Sequence, residues 1–263
     1  MSVNSKMTAI ADAIREKTGE SGTLTLDGMA AAIAGIEAGG DTSMEDGLIA
    51  RNIGEYRNDR VKKIGECAFY YYDTLDKVYF PLVEKIESQA FYYCSALDAV
   101  DFPKVTSIGE HVFNNCKSMT AANFPLATTV GTYAFRYCER LTSVNLPKIT
   151  KINEGVFESC KALATIEFPL VSSIGKYAFS YCHSLTSLVL RYSGGVCTLS
   201  NTNAFNRCHH ILGTTDSTYN PNGLKDGYIY VPDTLVDSYK AATNWSTYAS
   251  QIKPLSEYVE VSA

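Results

Sequence analysis

The sequence predicts an α/β repeat fold: a solenoid of 22-residue coils with stacked parallel strands, a small helical N-terminal segment and a strand–helix C-terminal cap. Three observations support this prediction. A phenylalanine returns every 22 residues, an aliphatic residue lies five positions before it, and a cysteine or tyrosine lies three positions after it. The phenylalanines are Phe69, Phe91, Phe113, Phe135, Phe157 and Phe179. A fixed period of this length is typical of solenoids, in which one supersecondary unit stacks on its own copies.

A single coil cannot fold alone, which is why the units have to stack. Its inward apolar side chains, about five per coil, contribute roughly 1.5–3 kcal/mol each when fully buried. Ordering each residue costs about 1.5 kcal/mol, so the entropy loss exceeds this gain roughly threefold. Only neighbouring coils that cover both open faces and pair the backbone edges can close the gap.

Each coil contains a pattern typical of a half-buried strand. Polar and apolar residues alternate in Lys77–Phe80, and the same alternation returns in the following coils, for example at Thr165–Phe168. Pro81 follows the first of these strands and cannot donate to a ladder, so it marks the turn. The Gly-x-x-x-Phe-x-x-Cys part, as in Gly175–Cys182, is too short for a long helix. It predicts a turn or a short helical piece on the other side of the coil.

The chain divides into four predicted segments. Residues 1–40 predict a helical tether, because Met7, Ile10 and Ile14 share one helical face and Asp27 can cap a second short helix. Residues 41–63 predict a degenerate N-terminal cap, 64–212 the regular repeats, and 213–263 a C-terminal cap. In that cap we expect a strand at 228–231 and a helix that Asp233 caps. Terminal units of solenoids are atypical because one of their faces meets water.

Composition excludes several classes of protein. The net charge is −5, which argues against sequence-independent nucleic-acid binding, since such binding needs a basic face. No window approaches the roughly 18 uninterrupted apolar residues of a transmembrane helix, so we expect no membrane insertion. The N-terminus lacks the apolar core of a secretory signal peptide, so we expect a protein that is cytoplasmic when synthesised.

Most of the eight cysteines occupy one repeat position and are explained by packing. Thiols at one register behave as small buried hydrophobes, and pairing them would twist them out of a packed column. We therefore expect reduced, structural cysteines there, whereas Cys67 and Cys197 fall outside the column and the sequence leaves their reactivity open. A zinc site built from Cys182–His183 and Cys208–His210 has poor spacing, so no metal and no other cofactor is predicted.

The unit Ile-Gly-x-x-Ala-Phe-x-x-Cys-x-x-Leu-x-x-Val-x-Phe-Pro closely resembles the BspA-like leucine-rich repeats of bacterial surface proteins and some protists. The stretch Ile174–Leu185 nearly reproduces it, and the tail from Tyr230 to Leu255 is similar to the ending of such proteins in Firmicutes and their prophages. The opening Lys6–Arg15 is similar to the N-termini of phage tail-associated proteins. The resemblance implies a leucine-rich-repeat solenoid and binding, often adhesion to host proteins or other cells. It supplies no catalytic residues.

The residues that vary within the fixed frame are the candidate ligand-binding positions. The pair after the repeat phenylalanine is rich in tyrosine, asparagine, serine and arginine, which is the composition of binding loops. The candidates are Tyr70, Tyr71, Tyr92, Tyr93, Arg136, Tyr137 and Tyr181. The alternative is that these rings merely stack along the solenoid, each ring on the next.

A second set of candidates lies on the polar side of the predicted strands. Its acidic and amide side chains suit hydrogen bonding to a protein or a glycan, whereas the simpler view is an ordinary solvated face. The residues are Tyr79, Asp101, Asn123, Asn145 and Glu167.

The sequence predicts no enzyme. It has neither a phosphate-binding glycine loop followed by Lys-Ser/Thr nor a Gly-x-Ser-x-Gly elbow. We expect a recognition or adhesion module that binds a protein or a cell-surface glycan and is displayed on a phage virion, at its tail, or on the bacterial cell surface. Residues 1–40 would then serve self-association or particle attachment. The alternative is a structural spacer or scaffold protein without a dedicated ligand.

Overall fold

The structure, a computed structural model, describes residues 54–260 and the backbone of Ser43–Met44. The predicted helical tether at 1–40 and most of the segment 41–53 lie outside the described residues. The described part confirms the predicted leucine-rich-repeat solenoid, because each coil contributes two short strands and a turn region and stacks on the next coil in a constant register. The named strands pair in parallel, as Lys77–Tyr79 does with Glu55–Arg57.

Two columns of strands run along the solenoid. The first column holds the two-residue strands near the start of each coil, and the second holds the longer strands of three or four residues. The first column is Ser43–Met44 (β1), Lys63–Ile64 (β3), Lys85–Ile86 (β5), Ser107–Ile108 (β7), Thr129–Val130 (β9), Lys151–Ile152 (β11), Ser173–Ile174 (β13) and Thr198–Leu199 (β15). The second column is Glu55–Arg57 (β2), Lys77–Tyr79 (β4), Ala99–Asp101 (β6), Ala121–Asn123 (β8), Ser143–Asn145 (β10), Thr165–Phe168 (β12), Ser187–Leu190 (β14), Tyr228–Val231 (β16) and Ile252–Pro254 (β17).

Apolar residues fill the interior as columns that repeat once per coil. Phe113 is fully buried, and its ring stacks on those of Phe91 and Phe135 with 5.3 Å between centroids in both pairs. A second column packs against the first, with Phe102 and Phe124 at 6.3 Å and 5.8 Å from Phe113. Aromatic pairs of this kind add about 0.5–1.5 kcal/mol beyond the burial of their area. The repeated phenylalanine therefore defines the core, as its period predicts.

The repeat cysteines line the same interior as free thiols. Cys116 donates from Sγ to the carbonyl of Phe91 in the preceding coil at 3.2 Å, and Cys138 donates to that of Phe113 at 3.1 Å. Burial raises the pKa of both thiols, so they remain protonated donors. Cys197 is also buried, and burial raises its pKa to about 12, which answers the question of its reactivity: the thiol is protonated and shielded at neutral pH.

The turn region carries a third set of backbone bonds between coils. Two residues of each regular coil adopt a left-handed conformation there; in the first coil Cys67 and Tyr71 have φ of 57° and 59°. Phe69 and Tyr71 donate their N–H groups to the carbonyls of Ala90 and Tyr92 in the next coil, both at 2.7 Å. A left-handed residue with a Cβ costs about 1–2 kcal/mol, which these bonds offset. Of the two expectations for this part of the coil, the turn is correct.

Both strand columns are interrupted between β9 and β11 and between β10 and β12. In the preceding coil the residue after the first strand donates its backbone N–H to an earlier coil, as Gly131 does to Ile108 at 2.9 Å. Asn153 takes the equivalent place after β11, and its side-chain Nδ2 donates to the carbonyl of Val130 at 2.7 Å. A side-chain bond therefore joins the two coils where the first backbone ladder is broken.

The C-terminal elements close the last coil. The 3₁₀ helix Thr202–Phe205 and the helix His209–Leu212 (α1) precede a loop at 213–227 that leads into β16. The 3₁₀ helices Asp233–Leu235, Trp245–Gln251 and Leu255–Glu257 and the helix Val236–Ala241 (α2) complete the chain. Trp245 is buried and donates from Nε1 to the carbonyl of Cys197 at 2.5 Å. Asp233 does not cap the helix as predicted, because its carboxylate accepts the N–H of Ser256 at 3.0 Å.

Candidate functional site

A strip of ring-bearing and polar side chains follows the turn side of the coils. We call it the aromatic edge and define it as Tyr70, Tyr71, Tyr92, Tyr93, His111, Tyr133, Arg136, Tyr137 and Tyr181. At its N-terminal end, the ring of Tyr70 stacks on that of Tyr92 at 5.0 Å and 8° between planes. The ring of Tyr71 stacks on that of Tyr93 at 4.6 Å and 5°. The structure therefore brings these four predicted residues into one cluster.

Stacking determines which part of these rings meets solvent. The ring faces that two coils turn toward each other are covered, yet Tyr70 and Tyr71 remain 41% and 43% exposed. Burial is the largest cause that raises the pKa of Tyr70 and Tyr92, and neighbouring tyrosines add to it, so both phenols stay protonated at neutral pH. The rings do stack along the solenoid, and they still leave part of their surface free for a partner.

The centre of the aromatic edge is charged. The guanidinium carbon of Arg136 lies 4.6 Å from the ring centroid of Tyr137 and 5.1 Å from that of Tyr133. Its Nε lies 2.8 Å from Oε2 of Glu158 in the next coil, and its Nη2 donates to Oε1 at 3.1 Å. Two rings and a carboxylate therefore order Arg136 in advance, so that little side-chain freedom is left to lose on binding.

Tyr133 and His111 are members of the aromatic edge that the sequence reasoning missed. The hydroxyl of Tyr133 donates to Glu154 at 2.6 Å, and this bond together with burial raises its pKa to about 12. The ring of His111 stacks on that of Tyr133 at 5.1 Å, and its Nδ1 accepts from Nδ2 of Asn114 at 2.9 Å. Both lie two residues before a repeat phenylalanine, a position that varies from coil to coil with the same 22-residue spacing and could have been found by it.

Tyr181 lies at the C-terminal end of the aromatic edge, apart from the other tyrosines. It is 39% exposed, and its ring lies 6.0 Å from that of His183. The pair of positions in the coil between Tyr137 and Tyr181 holds Glu158 and the buried Ser159. The predicted tyrosines therefore form separate groups rather than one unbroken row.

The amide row lies on the outer face of the second strand column and comprises Tyr79, Asp101, Asn123, Asn145 and Glu167. Nδ2 of Asn145 donates to Oδ1 of Asn123, and Nδ2 of Asn123 donates to Oδ1 of Asp101, both at 2.7 Å. The guanidinium of Arg57 lies 4.3 Å from the ring centroid of Tyr79, and Glu167 forms an ion pair with Arg191. The side chains of the amide row therefore satisfy part of their hydrogen-bonding capacity by bonding to one another, as cross-strand neighbours do.

Residues 54–260 contain no group of three or more His, Cys, Asp or Glu side chains that could hold a metal ion. Over the same stretch, no helix combines the length and the apolar character that crossing a bilayer requires. The aromatic edge and the amide row can therefore present ordered phenols, a guanidinium and carboxamides to another molecule.

Comparisons with known proteins point to one repeat family. A sequence model described as BspA type leucine rich repeat region matches residues 56–162 and 128–218, with six copies. No curated protein matches the chain.

Several solved structures are similar to this chain. A leucine-rich repeat protein from Bacteroides ovatus has a TM-score of 0.50 at 20% identity and covers 81% of this chain and 57% of that chain. A leucine-rich repeat protein from T. pallidum has a TM-score of 0.46 at 30% identity, covering 50% and 63%. A leucine-rich cell surface protein from Faecalibacterium prausnitzii has a TM-score of 0.43 at 26% identity, covering 56% and 50%. The match spans less than two thirds of the length of each of these proteins.

Proposed function

Because the chain belongs to the BspA-type leucine-rich repeat family, we propose that it is a non-enzymatic recognition or adhesion module that binds a macromolecule through its solenoid surface. The aromatic edge carries the proposal, since its tyrosines are ordered and yet partly exposed on a stack of coils. Tyrosine and arginine are enriched at the energetic centres of protein interfaces. Stacking and ion pairing hold these side chains in place, which lowers the entropy lost on binding.

The stacking favours a protein over a glycan as the partner of the aromatic edge. A sugar ring packs on the face of an aromatic side chain, and the facing surfaces of Tyr70–Tyr92 and Tyr71–Tyr93 are covered by one another. The remaining hydroxyls and the guanidinium of Arg136 suit the mixed polar and apolar surface of a protein. The amide row is the second candidate surface, and its exposed carboxamides suit either class of partner.

A paired substitution tests this assignment. Tyr70→Ser combined with Tyr71→Asn removes two exposed rings, and Asn tolerates the positive φ of position 71. The matched control is Tyr79→Ser, which removes an equally exposed ring, 45% accessible, from the amide row. Arrays of purified extracellular proteins and of glycans serve as probes. We expect the double variant to lose protein binding by at least about tenfold, which corresponds to about 1.4 kcal/mol.

The outcomes of this experiment are distinct provided that the circular dichroism spectrum and the urea midpoint stay unchanged. Loss of binding in the Tyr79→Ser control alone would move the site to the amide row. Binding of glycans but not of proteins would show that the partner class is wrong. If the wild-type chain and both variants bind nothing on the arrays, the structural spacer is the better description.

We also propose that residues 1–40 attach the solenoid to a phage virion or a bacterial surface, or join copies of the chain. The support is the sequence spacing of Met7, Ile10 and Ile14, which predicts an apolar helical face that so short a segment could not bury by itself. Deletion of residues 1–40 should reduce the number of copies per particle, as measured by light scattering, while the circular dichroism of the solenoid is retained. An unchanged number of copies after deletion would refute self-association.

A further inference from the structure

Three of the four histidines of the protein lie where the loop 213–227 packs on the last coils. His183 belongs to the preceding coil, and His209 and His210 begin α1. His209 is buried, and its Nδ1 lies 2.8 Å from Oγ1 of Thr214 in the loop. Its Nε2 lies 3.7 Å from the carboxylate of Asp216. Histidine side chains therefore form much of the contact between the loop and the solenoid.

His183 is held between two rings. Its centroid lies 4.8 Å from that of His209 and 4.5 Å from that of Tyr219 in the loop, with 25° and 28° between the planes. Its Nδ1 lies 3.1 Å from the carbonyl of Arg207, and a carbonyl only accepts, so Nδ1 carries the proton of the neutral ring. A second proton would place a cation inside this stack of rings.

His210 holds the same tyrosine through its backbone. Its Nε2 lies 3.0 Å from the carbonyl of Tyr219, and its Nδ1 lies 2.6 Å from the carboxylate of Asp226. Tyr219 is thus fixed through its ring by His183 and through its carbonyl by His210.

We propose that residues 214–219 form an acid-sensitive flap, which is closed over the last coil while His183 is neutral and opens when His183 gains a proton. Opening uncovers His183 and the neighbouring Tyr181, and so alters the C-terminal end of the aromatic edge. The flap does not depend on which molecule the aromatic edge binds.

The groups that face His183 determine the direction of the effect. Burial lowers the pKa of His183 most; the bond to the Arg207 carbonyl and the charge of Asp216 raise it, and His209 and Lys161 lower it. The other titratable neighbours of His183 are the phenols of Tyr181 and Tyr219. Because the pKa of the closed state lies below the ordinary value of histidine, closure is favoured above that value. The advantage is lost as the pH falls through the lowered pKa.

Bonds without titrating side chains limit the movement to the flap. Nδ2 of Asn220 donates to the carbonyls of His209 at 3.2 Å and Leu224 at 2.7 Å. Nε2 of Gln251 donates to the carbonyl of Lys225 at 3.2 Å. Carboxamides do not change charge with pH, so residues 220–227 stay docked while residues 214–219 open.

Hydrogen exchange followed by mass spectrometry of the full chain tests the flap. The protein is labelled at about pH 7.5 and about pH 5, on either side of the ordinary pKa of histidine, and each rate is corrected for intrinsic exchange. Peptides from residues 214–219 should lose protection on acidification, by about tenfold for each pKa unit by which closure lowers His183. Peptides from the repeat coils should keep theirs.

Two variants make the result specific. His183→Phe keeps a ring between His209 and Tyr219 and cannot titrate, so its flap should lose clearly less protection on acidification than the flap of the wild type. His111→Asn removes the remaining histidine from a distant coil and should respond as the wild type does. No loss of protection in the wild type, or an equal loss in His183→Phe, would overturn the proposal. If His183→Phe does not fold, an NMR titration of His183 in the wild type decides: a midpoint at or above that of free histidine overturns it.

Discussion

Replacing Phe113 with alanine tests how strongly neighbouring coils depend on one another. The side chain is fully buried, and its ring contacts those of Phe91, Phe102, Phe124 and Phe135 at 5.3–6.3 Å. Truncation of a buried phenylalanine lowers the free energy of unfolding by about 3–5 kcal/mol. The lost ring pairs, worth about 0.5–1.5 kcal/mol each, place this site toward the upper end. The matched control Phe113→Leu retains most of the volume and should lose less than about 1.5 kcal/mol.

Two optical probes separate the two sides of the defect. Trp245 is the one tryptophan of the chain and reports on the C-terminal elements, whereas far-ultraviolet circular dichroism reports on all the coils. Each coil of a solenoid contacts only its neighbours, so a central defect weakens the coupling between the two sides. For Phe113→Ala we expect the dichroism to change at lower urea than the fluorescence. The urea midpoint of the dichroism transition should fall by roughly 1–2 M relative to the wild type if the m-value is about 2–3 kcal/mol/M.

The wild type and Phe113→Leu should show coincident transitions with both probes. Coincident transitions in Phe113→Ala, together with a loss of less than about 2 kcal/mol, would refute the reasoning. The columns of rings would then not be what joins the coils at this point.

Three further predictions concern single sites. Gly155→Ala puts a methyl group 2.2 Å from the ring of Tyr133 at a φ of +57°, so we expect a loss of about 1–3 kcal/mol in urea unfolding. The pKa of Tyr133 is raised to about 12, so its bond to Glu154 stabilises the fold fully below the ordinary tyrosine pKa. This contribution is lost as the pH rises from the ordinary value through about 12, and Tyr133→Phe should remove the step from an ultraviolet phenolate titration. A thiol reagent should modify half-buried Cys67 in the native protein and all eight cysteines in urea, and rapid native labelling of Cys138 would contradict the buried column.

The regular coils are predictable from the sequence because one physical requirement repeats. Each coil needs a ring at the position of Phe113 and a buried cysteine, or a tyrosine in the first coil, at that of Cys116. The period of these positions fixes the register of the strands between them. The aromatic edge is only partly predictable. The tyrosines after the repeat phenylalanine stand out by composition, whereas Tyr133 becomes visible only when the turn is known to hold a second outward position.

The rest depends on contacts that local patterns do not encode. Tyr71 and Tyr93 have positive φ, which bulky residues rarely adopt, and bonds to the next coil rather than local preference hold them there. The sequence spacing of His183 and Tyr219 does not predict that their rings stack. The irregular segment after Leu190 and the loop at 213–227 interrupt the 22-residue period between them. The hydrogen bond from Asn153 that replaces a backbone bond is likewise visible only in three dimensions.

The bonds from the thiols of Cys94, Cys116, Cys138, Cys160 and Cys182 to a phenylalanine carbonyl each span 25 residues. Since donor and acceptor recur from coil to coil along this stretch, deleting or duplicating one whole coil within it restores an equivalent partner for each group at the junction. Recombination within the gene can therefore lengthen or shorten the molecule in complete units. Proteins that arise in this way would differ in the number of tyrosines they display but would retain an intact interior. The length of the solenoid and the avidity of its surface can therefore evolve without an unfolded intermediate.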